Sequence, residues 1–261
     1  MLKLYKGLLA PLLLAQGARL RRSALRLPEA AGQRAGQIEG RNDVPPIRLL
    51  FVGDSSAAGV GVAHQSEGLA LPCAMSLQRR TGRSVEWQLV AKSGINTAEA
   101  AAMLQQHSLG PADAIITVLG VNDVTSQTTP GKFLTDYRAL IEQLQARTGA
   151  RVAVVSGLPP MNAFSAIPNP LRWYLGKYAR RLDARLRAWI ATQPRLRHLP
   201  LKQSTVAGAL ARDGYHPGPE QYRRWAEQVA QCLAEMLQRT TPRGPASQAE
   251  QASHATRDEL R

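Results

Sequence analysis

Acidic residues are scarce in this chain: 19 Asp and Glu stand against 33 Lys and Arg, a formal charge of +14 over 261 residues. That excess favours a polyanionic partner, which leaves nucleic acid, anionic lipid or an acidic substrate. Nucleic acid is not expected, because the chain lacks an RRM-like aromatic signature, paired Cys/His for zinc and basic stretches interleaved with aromatics. Cysteine is nearly absent, with only Cys73 and Cys232. Cys73 follows Pro72 in apolar surroundings and Cys232 falls in a C-terminal helical pattern, so both read as buried free thiols. Neither C-x-x-C nor H-E-x-x-H spacing occurs, so no metal and no cofactor is expected. Long apolar runs are missing as well. Leu8 to Ala15 is eight residues with Pro11 inside, too short to span a bilayer. As a signal-peptide core it has no clean small-x-small cleavage site, and arginines crowd its downstream flank. A basic segment with an apolar face on an anionic membrane surface fits residues 1–26 better; a solvated basic arm is the plainer alternative. The expected location is cytoplasmic and peripheral to the membrane, with export through an N-terminal signal left open.

After this segment, residues 27–46 carry Pro, Gly and charge without periodicity and read as a linker. From 47 onward, apolar runs alternate with helical patterns. Strand-like runs occupy 47–54, 85–91, 112–120 and 151–159, with a weaker fifth at 196–201. Continuous Val/Ile/Leu stretches such as Ile115 to Leu119 suit strands buried on both faces of a parallel sheet. Between them, Phe133, Tyr137, Leu140, Ile141 and Leu144 share one helical face. Leu171, Leu175, Tyr178, Leu182, Leu186 and Trp189 share another. A last helix is expected over 219–239. Strand–helix alternation of this kind implies an α/β chain: a three-layer α/β/α sandwich around a five-stranded parallel sheet, filling 47–240. Residues 241–261 are polar and expected to be disordered.

In open parallel sheets, ligands bind beyond the carboxyl ends of the strands. The residues that follow each strand are therefore the ones to read. The first strand runs into "VGDSSAAGVGV", a stretch that resembles a phosphate loop until its residues are counted. No lysine follows Gly59 or Gly61, as G-x-x-x-x-G-K-[ST] requires, and Gly53-Asp54-Ser55 fails G-x-G-x-x-G at the second glycine. A nucleophile fits better. A serine hydroxyl needs a base to take its proton. His216 supplies one, with Asp213 three residues earlier to hold the ring's tautomer. Gly94, after the second strand, and Asn122, after the third, stand where a backbone N–H and a side-chain amide would join the Ser55 N–H around a developing oxyanion. Each residue alone has a plainer role as a helix cap, a turn glycine or a surface pair. Those roles do not explain all four at successive strand ends. Asp54 and Asp123 read as turn-fixing residues, and His64, His107, His198 and His254 have no acid partner at useful spacing.

Ser55 in "VGDSSAAG", Gly94 in "KSGINT", Asn122 in "LGVND" and His216 in "DGYHP" fall in the order of the four blocks of the SGNH/GDSL hydrolases, which this chain resembles over residues 47–238. The resemblance implies Asp213 as the triad aspartate, a flavodoxin-like sheet, ester or thioester hydrolysis through an acyl-enzyme, and no metal. Ser56 stands where the family name has Leu, at a position without a catalytic role. The lack of any G-x-S-x-G elbow separates the chain from the α/β-hydrolases.

Substrate selection points to the segment after the fourth strand. Pro160, Met161 and Phe164 belong to an apolar, non-periodic loop and Trp173 opens the next helix; together they read either as a substrate-binding wall or as a long crossover packed on its own helix. That helix also carries Arg172, Lys177, Arg180, Arg181, Arg185 and Arg187 against the single acid Asp183. The basic face again suits a membrane surface or a phospholipid-like ester, or it is simply solvated. The sequence therefore predicts a serine hydrolase acting on a small-molecule or lipid ester. The alternatives are an acyltransferase to an alcohol or sugar and a non-catalytic lipid-binding module of the same fold.

Overall fold

The computed structural model describes residues 2–202 and 209–240; the tail 241–261, expected to be disordered, lies outside them. Six strands form one sheet: β1 (Ala35–Ile38), β2 (Ile47–Gly53), β3 (Val85–Ala91), β4 (Ala114–Val118), β5 (Val152–Ser156) and β6 (Leu196–Leu199). Their order is β1-β3-β2-β4-β5-β6, all parallel except β1, which pairs antiparallel with β3. The sheet thus has six strands rather than five. The extra one comes from the stretch 27–46 that reads as a linker, whose AGQI sequence carries no strand alternation. β1 is held instead by its edge pairing, Ala35 opposite Gln88 and Ile38 opposite Val85, a tertiary contact that local pattern does not encode.

Side chains along the central strands alternate between two apolar clusters. Leu50, Val52, Ile115, Ala153 and Val155 face one, and Leu49, Phe51, Ile116, Val152 and Val154 face the other. Period two with both faces apolar is what makes these strands near-continuous hydrophobic runs. The first cluster is covered by helices α3 (Thr97–Leu104), α5 (Pro130–Thr148) and α6 (Leu171–Ile190), with Leu13 of α1 (Leu2–Ser23). The second is covered by α2 (Ala70–Thr81) and α7 (Pro219–Thr240). Together they make the expected three-layer α/β/α sandwich. The α5 face predicted from spacing, Phe133 to Leu144, is buried throughout.

The helix boundaries follow local chemistry. α3 opens with a capping box, the Asn96 side chain accepting from the Glu99 N–H while Glu99 accepts from the Asn96 N–H, which satisfies two otherwise orphaned donors. α5 starts with Thr129 as cap and Pro130 in its first turn, where the missing N–H costs nothing. α1 is not a free arm. Its Leu13 enters the core, Leu9 and Leu20 pack beside it, and the helix lies against α6. No described helix is long and apolar enough to cross a membrane.

Candidate active site

Parallel pairing brings the strand ends into one row. Gly53 lies opposite Ala91 of β3 and Val118 of β4, so the loops bearing Ser55, Gly94 and Asn122 leave the sheet side by side at its carboxyl edge. The short helix α4 (Val121–Thr125) follows β4 directly. Its preceding residue, Gly120, has φ +122°, and a Cβ there would come within 2.9 Å of Leu158. Only glycine suits both the dihedral and the space, and the turn aims Asn122 back toward the end of β2.

The loop before α7 supplies the other half. His216 Nε2 is 2.9 Å from Ser55 Oγ, and His216 Nδ1 is 2.6 Å from Asp213 Oδ2. Asp213 Oδ1 also accepts from the Tyr215 and His216 backbone N–H groups, both at 3.0 Å. Burial alone would raise the Asp213 carboxyl, but the His216 ring and those two N–H groups outweigh it and hold it below the ordinary carboxylate range. An ionised Asp213 keeps Nδ1 protonated and leaves Nε2 free to accept the Ser55 proton. The Tyr215 ring stands edge-on to His216 at 5.0 Å between centroids and tilts against Phe164 at 4.9 Å.

Asn122 lies where the sequence placed it, but its amide is not idle. Nδ2 donates to the Ile95 carbonyl at 2.9 Å and reaches Asp54 Oδ2 at a long 3.4 Å. Gly94, one residue before Ile95, has φ +84° and open space on its Cβ side. Asp54 does fix its turn, accepting from the Ser56 N–H at 3.0 Å. Asp123, expected to do the same at its own strand end, instead reaches across to α3, where Oδ2 accepts from the Thr97 N–H and hydroxyl at 3.0 and 2.8 Å. Asp54 is fully buried; burial pushes its carboxyl up to about 7, opposed by the Ser56 N–H and reinforced by the Asp123 charge.

A pH dependence follows from that shift. Above the ordinary carboxylate range and below about 7, the folded state holds a proton on Asp54 that the unfolded state has released. This contribution to stability is fully present below the ordinary carboxylate range and is lost as pH rises from there through about 7, at about 1.4 kcal/mol per pH unit, levelling off above it. Urea unfolding of wild type and Asp54→Asn between pH 5 and 8 is expected to show the wild type losing ground to the variant as pH rises. Parallel curves would place the Asp54 carboxyl back in the ordinary range.

Beside the Ser55–His216 pair opens a groove of about 710 Å³ including its mouth, lined by Pro159, Pro160, Phe164, Leu201, Leu210, Tyr215, Pro217 and Trp225 among others. Of the four residues expected to bind substrate, Pro160 and Phe164 line it. Met161 and Trp173 do not. Met161 is wholly buried in the core beneath the loop, and Trp173 faces outward on α6, against Tyr5 of α1. Packing decides both: Met161 is taken up by the core cluster under α6, and Trp173 is turned toward α1 by its contact with Tyr5. His198 also departs from its expected solitude. Its Nε2 is 2.8 Å from Asp183 Oδ1, which accepts from the Leu158 N–H at 2.9 Å. The pair joins β6 to α6 behind Gly157, where a Cβ would strike both side chains, and so supports one wall of the groove. A separation of fifteen residues across two elements hid it. Tyr222 is illegible in the sequence for the same reason: its hydroxyl donates toward the Ser56 and Val60 carbonyls, at 2.9 and 2.8 Å, and anchors the turn after Ser55. Cys73 is buried and free, its thiol pushed up by burial and so unreactive, and Cys232 is free and half-buried.

Residues 51–243 match the model of the GDSL-like lipase/acylhydrolase family. The chain belongs to that family. It is 27% identical over 206 residues to the GDSL-like esterase Rv1075c of Mycobacterium tuberculosis, an alignment covering 76% of this chain. The chain spans 65% of that relative's length. The same fold occurs in the lipase Lip_vut3 from a goat rumen metagenome, with TM-score 0.55 and 18% identity over 72% of this chain and 97% of that one. It occurs again in TesA, with TM-score 0.54 and 23% identity over 72% of this chain and 99% of that one.

Proposed function

We propose that this member of the GDSL-like family hydrolyses carboxylic esters through an acyl-enzyme. Ser55 attacks the ester carbonyl while His216 takes its proton. The same imidazolium returns the proton to the leaving alkoxide, and water then releases the acid by the reverse sequence. Asp213 orients His216. The Ser55 and Gly94 N–H groups and the Asn122 amide stabilise the oxyanion. The observation that supports this most strongly is the continuous relay Ser55–His216–Asp213, at 2.9 and 2.6 Å, opening on a groove walled by Pro160, Phe164 and Trp225. An apolar groove beside the nucleophile suits the acyl chain of a small-molecule or lipid ester, and an anionic membrane surface is proposed as the place where the latter is met.

The test is hydrolysis of p-nitrophenyl esters from acetyl to palmitoyl. Rates are expected to peak at a medium chain, with KM falling as the chain lengthens until the groove is filled, because each buried methylene contributes about 0.8 kcal/mol. Turnover of no ester, or rates indifferent to chain length, would overturn the reading. Added alcohol or sugar that diverts the acyl group to an ester product would make the enzyme a transferase instead.

A further inference from the structure

Resting on the ester-hydrolase reading for its substrate, we propose that α1 and the start of α6 form one face that lies on an anionic lipid bilayer and delivers membrane-borne esters to the groove. Among the described residues seven large apolar side chains are exposed. Five of them, Tyr5, Leu8, Leu12, Leu14 and Leu25, lie on or just after α1, and a sixth, Trp173, touches it. That concentration is unlike the scattered apolar residues of an ordinary surface. α1 packs Leu13, buried, and Leu9, partly buried, against the core on one stripe, while Tyr5, Leu8 and Leu12, at spacings of three and four, form a second that faces solvent. Leu8 is 71% exposed. The Tyr5 ring meets Trp173 edge-on at 5.2 Å, and the Lys177 ammonium sits 6.0 Å over the same indole. Amphipathic rings beside cations are the groups that settle at a lipid headgroup boundary.

Charge selects the occupant. Continuing the exposed stripe leads to Arg19 and Arg22, and Arg26 follows just beyond the helix, all exposed. Residues 1–26 contain no acid. A second copy of the chain would bring the same positive face and be repelled, whereas an anionic bilayer neutralises each arginine.

The same helix is tied to the groove. Gln16 donates from Nε2 to the Asn169 carbonyl at 2.7 Å and accepts from the Leu171 N–H at 3.1 Å. These are the closing residues of the loop whose earlier members, Pro160 and Phe164, wall the groove. A bilayer under α1 therefore lies against the loop through which a lipid acyl chain must pass.

Pelleting with vesicles of phosphatidylcholine, with and without phosphatidylglycerol, tests the docking face. Wild type is expected to partition onto the anionic vesicles and to be released by high salt. The double variant Leu8→Asp/Leu12→Asp is expected to lose at least about tenfold of that partition, a hydrophobic loss of at least 1.4 kcal/mol. Arg19→Glu/Arg22→Glu is expected to bind the two vesicle types alike. Both variants should hydrolyse soluble p-nitrophenyl acetate at the wild-type rate, which checks folding, while losing turnover of a long-chain ester embedded in vesicles. Equal wild-type partition onto both vesicle types, or variants that bind as wild type does, would overturn the proposal. So would a dimer in sedimentation that Leu8→Asp/Leu12→Asp dissolves without any vesicle affinity in the wild type. Wild-type partition with turnover of no ester in either form would overturn the hydrolase reading and the delivery of substrate together, while the docking itself would stand.

Discussion

Ser55→Ala is expected to lower kcat on p-nitrophenyl esters by roughly 10⁵–10⁶ with little change in KM. Ser55 is one of many residues lining the groove, and most of the lining is apolar side chains that the substitution leaves in place, so ester binding is expected to survive while the covalent route is lost. His216→Ala is expected to cost about as much, and the double variant little more than either single one, because nucleophile and base act as one unit. Asp213→Asn is the more informative partner. It keeps the volume but puts an amide against His216 Nδ1, where a carboxylate now accepts at 2.6 Å. Turning the ring to the wrong tautomer is expected to cost roughly 10⁴ in kcat. Steady-state kinetics with active-site titration would check all three. A Ser55→Ala protein retaining more than a tenth of wild-type turnover would mean that another group is the nucleophile.

Asn122→Ala is expected to lower kcat by about 10²–10³, the loss typical of removing one oxyanion donor, with KM nearly unchanged. The reason lies in how the amide is held. Its bond to the Ile95 carbonyl, at 2.9 Å, fixes the side chain, while its second N–H is spent on a 3.4 Å approach to Asp54, long enough to contribute little. That weak bond can be given up when a negatively charged oxygen forms beside Ser55, so stabilisation appears in the transition state and not in the ground state. The expected signature is a fall in kcat with unchanged inhibition by a non-hydrolysable ester analogue. An equal fall in affinity for that analogue would show that Asn122 binds the ground state, and would remove it from the oxyanion hole.

How much of this is legible in the sequence depends on whether the information is local. The strands were readable because Ile115, Ile116 and their counterparts must face apolar surroundings on both sides of a covered sheet, which forces continuous hydrophobic runs. The α5 face was readable because a 3.6-residue period places Phe133 and Tyr137 on one side whatever they pack against. The order of strand ends was readable because a parallel sheet puts every carboxyl end on one edge, so Ser55, Gly94 and Asn122 had to converge. Asp213 and His216 were readable because three residues in a tight loop suffice to join carboxylate and imidazole.

The rest belongs to tertiary structure. β1 exists because a free edge of β3 accepts it, not because its four residues favour a strand. Asp183 and His198 meet only once α6 and β6 pack together, and Tyr222 reaches the turn after Ser55 only once α7 docks. Met161 and Trp173 looked like groove residues because composition reports that a side chain is apolar and not which way its turn faces. What is fixed along the chain is which polar groups are present, in what order and at which strand ends. Which apolar side chains go inward, which line the groove and which stay on the surface is set by packing, because those choices depend on neighbours distant in the chain.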